Sequence, residues 1–142
     1  MLKLLWLSAG GAIGTVSRHW LNGMISGHQA KHLPWAVTFP LGTMLVNVTG
    51  CFVVGFLAAI SEPALGRAWL KSEWRDFLII GFCGGYTTFS SYGLQTLNLI
   101  RDGEWLLGAG NIIGSNLFGL LAVYLGVVTG RFLQTRLHGG AL

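Results

Sequence analysis

Residues 77–93 decide how this chain folds, and they read FLIIGFCGGYTTFSSYG. The stretch opens as an apolar helix, but from Gly81 onward it is rich in glycine, threonine and serine. Glycine weakens a helix by about 1 kcal/mol relative to alanine, and hydroxyl side chains compete for backbone hydrogen bonds. The sequence therefore predicts a helix that breaks or bends near residue 88. The alternative is a Gly/Ser-rich packing face whose hydroxyls bond their own helix carbonyls.

Three charge-free runs, including the one around this stretch, are long enough to cross a membrane as helices. A span needs about 20 mostly apolar residues, and the runs over 32–61, 77–100 and 105–130 provide that length. The N-terminal run reaches it only if Arg18 lies inside or at the end of the helix. A secretory signal peptide is the rival interpretation of that run, but no small-residue cleavage site precedes a soluble remainder.

We therefore predict an all-α integral membrane protein with four transmembrane helices. The predicted spans are approximately 2–23, 36–60, 77–100 and 105–130. The third helix is expected to be broken near the bilayer midplane. Backbone that leaves the helix at this depth is tolerated only where it is buried in protein or lines a site for ions or water.

The composition agrees with a membrane protein and excludes several other classes. Of the 142 residues, 10% are charged and 52% are hydrophobic, and the mean hydropathy is +0.60. Soluble domains carry about 25% charged residues. The length fits one domain over 1–142. The basic residues are spread singly, so no nucleic-acid surface is expected. No nucleophile, base and orienting group stand at a spacing that predicts an enzyme.

Glycine pairs spaced four residues apart recur in the predicted spans: Gly10 and Gly14, Gly81 and Gly85, Gly110 and Gly114, Gly126 and Gly130. Small residues at this spacing let helices approach closely in lipid. Four small helices enclose little volume, so we also expect a homo-oligomer. The cysteines, Cys51 and Cys83, lie in apolar runs and are interpreted as packed thiols.

Two other spans carry polar residues on one face. Thr43, Asn47 and Gly50 share a face of the second span, and Asn111 and Ser115 share a face of the fourth. Such residues either line a polar pathway or join helices through hydrogen bonds. No Asp or Glu lies within a predicted span, which disfavours proton-coupled cation export. Neutral donors beside the positive edges of aromatic rings suit a small anion instead.

Three motifs in this order resemble the Fluc/CrcB fluoride channel family: GGAIGTVSR over 10–18, GTMLVNVTG over 42–50 and GFCGGYTTFSS over 81–91. The third motif is the most specific, and the four-helix plan covers essentially the whole chain. The resemblance implies a passive channel that lets fluoride leave the bacterial cytoplasm across the inner membrane. It also implies an antiparallel, dual-topology homodimer in membrane lipid, with two pores and a structural sodium ion (Na+) at its centre.

The resemblance further implies a role for individual residues. Asn47 would be an amide donor of the fluoride pathway, with Thr43 one turn before it. Phe89 would supply an edge-on ring in the pore. The backbone carbonyls of Gly84 and Thr87 would bind sodium at the helix break. Oxygen ligation by an unwound segment suits a hard cation.

Other positions match the family less closely. Arg18 matches a family arginine near the end of the first helix, where it either draws anions inward or anchors the helix end. Asn111 and Ser115 fall where the polar track of the fourth helix is expected. Tyr92 stands where the family usually has its second phenylalanine, and Gly93 where a hydroxyl residue is common. The exact lining of the pore at Tyr92 is therefore left open.

Two other interpretations remain from the sequence. A small four-helix, dual-topology drug or cation exporter would carry an acidic residue within its first helix, and residues 4–17 contain none. A non-transporting four-helix subunit would account for the glycine pairs. It leaves the cluster of glycine, threonine and serine in the third span without an explanation.

Overall fold

The structure is a computed structural model that describes residues 2–62 and 70–138, and every element in these ranges is helical. Helix α1 is Leu2–His32 and helix α2 is Leu41–Ser61. A 3-10 turn at Pro34–Ala36 joins them. The side-chain amide of Gln29 donates to the carbonyls of Ala36 and Phe39, at 2.5 and 2.9 Å, and ties this turn to the end of α1.

The third span consists of two helices with a break between them. Helix α3 runs from an α-helical turn at Ser72–Arg75 through a π-helical stretch at Asp76–Cys83 to a last turn at Gly84–Tyr86. Helix α4 is Phe89–Arg101. The break falls at residues 87 and 88, where the sequence predicts it. Helix α5, Trp105–His138, completes the fold.

The helices differ from the predicted spans at four ends. Helix α1 continues past residue 23 to His32, because no strong helix breaker precedes Pro34. Helix α2 begins at Leu41 rather than near residue 36, because prolines flank the connecting turn. Helix α3 begins at Ser72 rather than at residue 77, because charged residues on its first turn do not prevent a helix there. Helix α5 continues past residue 130 to His138, since the intervening residues suit a helix.

Within the described ranges, two helices are long and apolar enough by themselves to cross a membrane, Leu41–Ser61 and Trp105–Arg136. The other two predicted spans are too polar or too short to do so by themselves. Helix α1 contains many polar residues, with a basic group at Arg18. The third span is interrupted at its break, so neither half has the necessary length.

Glycine pairs in α1 and α3 allow these two helices to touch through their backbones. A β-carbon on Gly14 would overlap the carbonyl oxygen of Phe82, and one on Gly85 would overlap that of Gly11. A β-carbon on Gly81 would lie 3.0 Å from the Leu7 carbonyl oxygen. Larger side chains here would force the helices apart, so the glycines fix the position of α3 and the break that follows it.

Helix α5 packs against α2 in the same way. A β-carbon on Gly126 would overlap the Phe52 carbonyl oxygen, and one on Gly55 would overlap that of Val123. The pair at Gly110 and Gly114 has more room, because a β-carbon on Gly110 would lie 4.0 Å from the Phe39 ring and one on Gly114 would lie 3.5 Å from the Met44 sulfur. Most of the predicted glycine pairs therefore mark contacts within one chain.

The outer faces of the helices are strongly apolar. On α5, Leu106 is 89% exposed and Leu120 is 73% exposed, and on α1 Val16 is 68% exposed. Soluble monomers rarely present continuous apolar surface of this kind. The arrangement therefore fits a helical membrane protein, whose outer faces contact lipid or another protein surface.

Candidate functional site

The break in the third span centres on two extended residues. Thr87 has φ −80° and ψ 154°, and Thr88 has φ −147° and ψ 109°. The Thr88 side chain is the N-cap of α4, because its Oγ1 accepts a hydrogen bond from the Ser91 N–H at 3.2 Å. Its hydroxyl in turn donates to Ser91 Oγ at 3.0 Å. A threonine cap satisfies one of the backbone donors that every helix start leaves open.

Asn47 on α2 supplies the hydrogen bonds that the broken helix lacks at Thr88. Asn47 Nδ2 donates to the Thr88 carbonyl at 3.1 Å, and the Thr88 N–H donates to Asn47 Oδ1 at 2.7 Å. Unpaired backbone groups in a protein interior cost free energy, so this pair of hydrogen bonds stabilises the break. Only one of the two Nδ2 hydrogens is used in it.

As a result of hydrogen bonds at the break, two backbone carbonyls lack the N–H donors that they would have in a continuous helix. In a continuing α-helix the Thr88 N–H would bond the Gly84 carbonyl, and the Ser91 N–H would bond the Thr87 carbonyl. Here those donors bond Asn47 and the Thr88 hydroxyl instead. Gly84 is exposed, and a β-carbon there would meet nothing within 4 Å. Two carbonyl oxygens near the break are thus available to another ligand.

A cavity of about 380 Å³ lies beside the break, between α2, α3, α4 and α5. We call it the tyrosine cavity. It brings together six of the residues predicted for the site: Asn47, Gly84, Thr87, Phe89, Tyr92 and Ser115. Its lining contains amide, hydroxyl, thiol and apolar groups, and it includes no charged side chain. A cavity of this kind offers neutral hydrogen-bond donors to a small solute.

Two aromatic rings lie next to each other at this cavity. The ring centroids of Phe89 and Tyr92 are 5.3 Å apart, with an angle of 48° between the ring planes. Phe89 is 82% exposed, so its ring lies at the open edge of the cavity rather than inside the chain. Asn116 Nδ2 donates to the Tyr92 hydroxyl oxygen at 3.2 Å and to the Ile112 carbonyl at 2.7 Å.

A second cavity of about 490 Å³ lies on the other side of the break, between α1, α2 and α4. We call it the arginine cavity, because Arg18 lines it together with His19 and Thr43. Thr88 borders both cavities. The structure therefore places Arg18 and Thr43 in one cavity and Phe89 and Tyr92 in the other, and Thr88 is shared by both.

Asn111 has a different environment from the one that its spacing suggests. It is 1% exposed and lines neither cavity. Asn111 Nδ2 donates to Thr96 Oγ1 at 2.7 Å, and its Oδ1 accepts from Ser115 at 3.2 Å. Its amide therefore joins α5 to α4 within the protein interior. Asn116, five residues later, is the α5 amide that reaches the tyrosine cavity.

Sequence reasoning missed Thr88 and Gln95 as residues of the site, and it counted Asn116 among the polar residues of the spans without identifying its contact. Thr88 lies in a hydroxyl-rich stretch, and a threonine three residues before Ser91 is a typical N-cap pattern. Asn116 lies in the cavity because α4 brings Tyr92 toward it. Gln95 lines the arginine cavity, and its buried Oε1 has no hydrogen-bond partner among the described residues. No sequence signal marks these last two contacts, which depend on neighbouring helices.

Comparison with known proteins agrees with the resemblance seen in the motifs. A family model described as "CrcB-like protein, Camphor Resistance (CrcB)" matches residues 5–127. The chain belongs to the CrcB family. The match includes all four predicted spans apart from their outer ends, so the family assignment covers both cavities and the break.

Several relatives carry the name "Fluoride-specific ion channel FluC". The relative from Rhodospirillum rubrum is 43% identical over 127 residues, which cover 89% of this chain and 93% of the relative. The relative from Opitutus terrae is 44% identical over 126 residues, covering 89% and 90%. The relative from Paramagnetospirillum magneticum is 41% identical over 134 residues, covering 94% and 99%. These relatives are named as ion channels, which agrees with the prediction that the chain is not an enzyme.

Proposed function

We propose that this protein is a fluoride-selective ion channel that lets fluoride leave the cytoplasm passively. The observation that carries the proposal is the tyrosine cavity, where Asn47, Tyr92 and Ser115 bring neutral donors together without a carboxylate. The names of its relatives, which are fluoride-specific ion channels, support the same solute. Fluoride is small and accepts hydrogen bonds strongly, so a site rich in N–H and O–H donors and free of negative charge suits it.

The hydroxyl of Tyr92 is the donor best placed for the anion. Its oxygen accepts from Asn116 Nδ2, which leaves the phenolic hydrogen available to the cavity. The second Nδ2 hydrogen of Asn47 and the ring edge of Phe89 complete a partly positive lining. Each of these contacts is neutral, so the anion is held weakly enough to leave again.

The arginine cavity gathers anions before they reach the break. Arg18 supplies a permanent positive charge there, and Thr43 and Ser91 add hydroxyl donors. Thr88 borders both cavities and separates them, so an anion passing from one to the other moves alongside the Asn47–Thr88 pair. Transport in this scheme needs no coupled reaction, and each step exchanges one set of donors for another.

The positions of the acidic residues count against the drug or cation exporter. All five lie at helix ends or in connections, and none lines the tyrosine or the arginine cavity: Glu62, Glu73, Asp76, Asp102 and Glu104. Asp76 forms an ion pair with Lys3 at 3.0 Å. A proton-coupled exporter needs a carboxylate on the substrate path.

A sodium ion fits the free carbonyls at the break. The Gly84 and Thr87 carbonyls have lost their helical donors to Asn47 and to the Thr88 hydroxyl, and oxygen ligands suit a hard monovalent cation. Bound sodium would supply positive charge that compensates these oxygens. In the described ranges no three side chains of His, Cys, Asp or Glu form a metal site, so backbone oxygens would be the ligands. We expect exchange of sodium for N-methylglucamine to lower the protein's thermal unfolding temperature.

The proposed assembly is an antiparallel homodimer with two pores in the bacterial inner membrane. The exposed apolar faces of α1 and α5, and the ring of Phe89 at the cavity's open edge, support a second copy as the covering surface. The distribution of basic residues gives only a modest orientation bias. The side with both termini and the second loop has six: Lys3, Arg67, Lys71, Arg75, Arg131 and Arg136. The opposite side has two, Lys31 and Arg101, or three if Arg18 is included. Tags at either terminus should appear on both sides of the membrane in comparable amounts. A single orientation would contradict the antiparallel arrangement.

Ion efflux from liposomes that contain the pure full-length protein tests the proposed function. Liposomes loaded with fluoride should release it on addition of a potassium ionophore, as read by a fluoride electrode. Liposomes loaded with chloride should release almost none under the same conditions. Equal fluxes of fluoride and chloride would contradict a fluoride-selective pore, and the absence of both would contradict a channel.

A further inference from the structure

Two histidines stand one helical turn apart near the end of α1. His28 and His32 have the i, i+4 spacing that places side chains on the same helix face. Their ring centroids are 4.3 Å apart, with an angle of 35° between the ring planes. Both residues are exposed, and neither lines the tyrosine or the arginine cavity.

The length of α1 brings this pair into contact with water. A helix needs about 20 residues to cross the hydrocarbon core, and each residue adds about 1.5 Å. Helix α1 has 31 residues, so its C-terminal end projects well beyond a span that starts at Leu2. The pair lies in the last two turns of this projection. Ions dissolved in the aqueous phase can therefore reach both imidazoles.

The separation of the rings is short enough for both imidazoles to bind one metal ion. With a metal–nitrogen bond of about 2.1 Å, each ring centroid lies about 3.2 Å from the metal. Two imidazoles at right angles around one ion then have centroids about 4.5 Å apart, and at the tetrahedral angle about 5.2 Å. The observed 4.3 Å is close to the right-angle value. Right angles between nitrogen ligands are typical of tetragonal Ni²⁺ and Cu²⁺.

We propose that His28 and His32 form a two-histidine site for Ni²⁺ or Cu²⁺ at the end of α1. Water completes the coordination, because the residues described here include no third His, Cys, Asp or Glu close enough to share a metal ion. The negative end of the helix dipole favours a cation at this terminus, whereas the neighbouring Lys31 opposes it. The Gln29 amide fixes the helix end by bonding two carbonyls of the following turn, so the pair is held in place before a metal binds.

Calorimetric titration of the full-length protein with Ni²⁺ tests the proposal, in detergent and after removal of any purification tag. Wild-type protein should bind one Ni²⁺ per chain, and Mg²⁺ should give no signal because imidazole is a poor ligand for it. His28→Gln and His32→Gln should each weaken Ni²⁺ binding at least tenfold. The double variant Ala30→His/His32→Gln is the matched control, since it keeps the number of histidines but places them two residues apart on opposite faces.

The control variant should bind Ni²⁺ as weakly as His32→Gln. Wild-type affinity in the control, or an unchanged affinity in both single variants, would overturn the proposal. Thermal unfolding supplies a second readout, since Ni²⁺ should raise the unfolding temperature of wild type and leave that of folded His32→Gln unchanged. Neither measurement involves ion flux, so the result is independent of the proposed channel function.

Discussion

Asn116 on α5 donates from Nδ2 to the hydroxyl oxygen of Tyr92 on α4, across 3.2 Å. The other Nδ2 hydrogen bonds the Ile112 carbonyl of its own helix at 2.7 Å. Both amide hydrogens of Asn116 are therefore used, and its role is to orient the tyrosine hydroxyl. The phenolic hydrogen then remains for a solute in the tyrosine cavity.

The two aromatic residues of the cavity should differ in importance. Tyr92→Phe keeps a ring edge and loses only the hydroxyl, so we expect an active fluoride channel whose rate changes severalfold. Phe89→Ile should lower fluoride efflux much more, because an aliphatic group has no comparable positive edge. Stopped-flow fluoride efflux measures both, with chromatography as the check for intact assembly. An inactive Tyr92→Phe beside a fully active Phe89→Ile would mean that the pore face is assigned wrongly.

Asn116 should act through Tyr92. Asn116→Leu alone should lower fluoride efflux severalfold, because the hydroxyl loses its orienting partner. Combined with Tyr92→Phe it should cause almost no further loss, since the hydroxyl is already absent. A double-mutant cycle on efflux rates measures this coupling. Independent, multiplicative losses would show instead that Asn116 contacts the anion or supports the fold by itself.

Asn47 should be essential for flux. Asn47→Leu removes a pathway donor and both hydrogen bonds to Thr88, so most fluoride efflux should be lost and stability should fall by about 1–3 kcal/mol. The assembled protein should still be recovered by chromatography. Thr129→Val is the control, because that hydroxyl bonds only the Leu125 carbonyl on an exposed face of α5. If Asn47 serves only to join helices, the variant will lose assembly while any remaining dimer stays active.

Alanine substitutions at two glycines of α1 should have opposite effects on stability, because the two glycines differ in their contacts. A β-carbon on Gly14 would overlap the Phe82 carbonyl oxygen, so Gly14→Ala should displace α3 and lower the unfolding temperature. A β-carbon on Gly23 meets nothing within 4 Å, so Gly23→Ala should stabilise the helix by about 1 kcal/mol. Thermal unfolding of the two variants compares them directly. Equal effects of the two substitutions would contradict the close packing of α1 on α3.

Most of the fold followed from local sequence features. The charge-free runs predict four helical spans in the observed order, and the cluster of Gly, Thr and Ser predicts the break at residues 87 and 88. These features are local, since they depend on hydropathy, helix propensity and hydroxyl competition within a few turns. The ends of the helices were less accurate, because α1 and α5 continue beyond their apolar stretches into residues that also suit a helix.

The lining of the site depended on the tertiary structure. Spacing along one helix grouped Asn111 with Ser115, yet only Ser115 reaches the tyrosine cavity. The difference comes from the neighbouring helix α4. Thr96 accepts a hydrogen bond from the Asn111 amide, whereas Tyr92 accepts one from the Asn116 amide. The sequence by itself determined which residue types are available and where the third span must break. Only the packing of one helix against another decided which donors bond each other and which remain free for a solute, because that choice depends on distances between residues far apart in the chain.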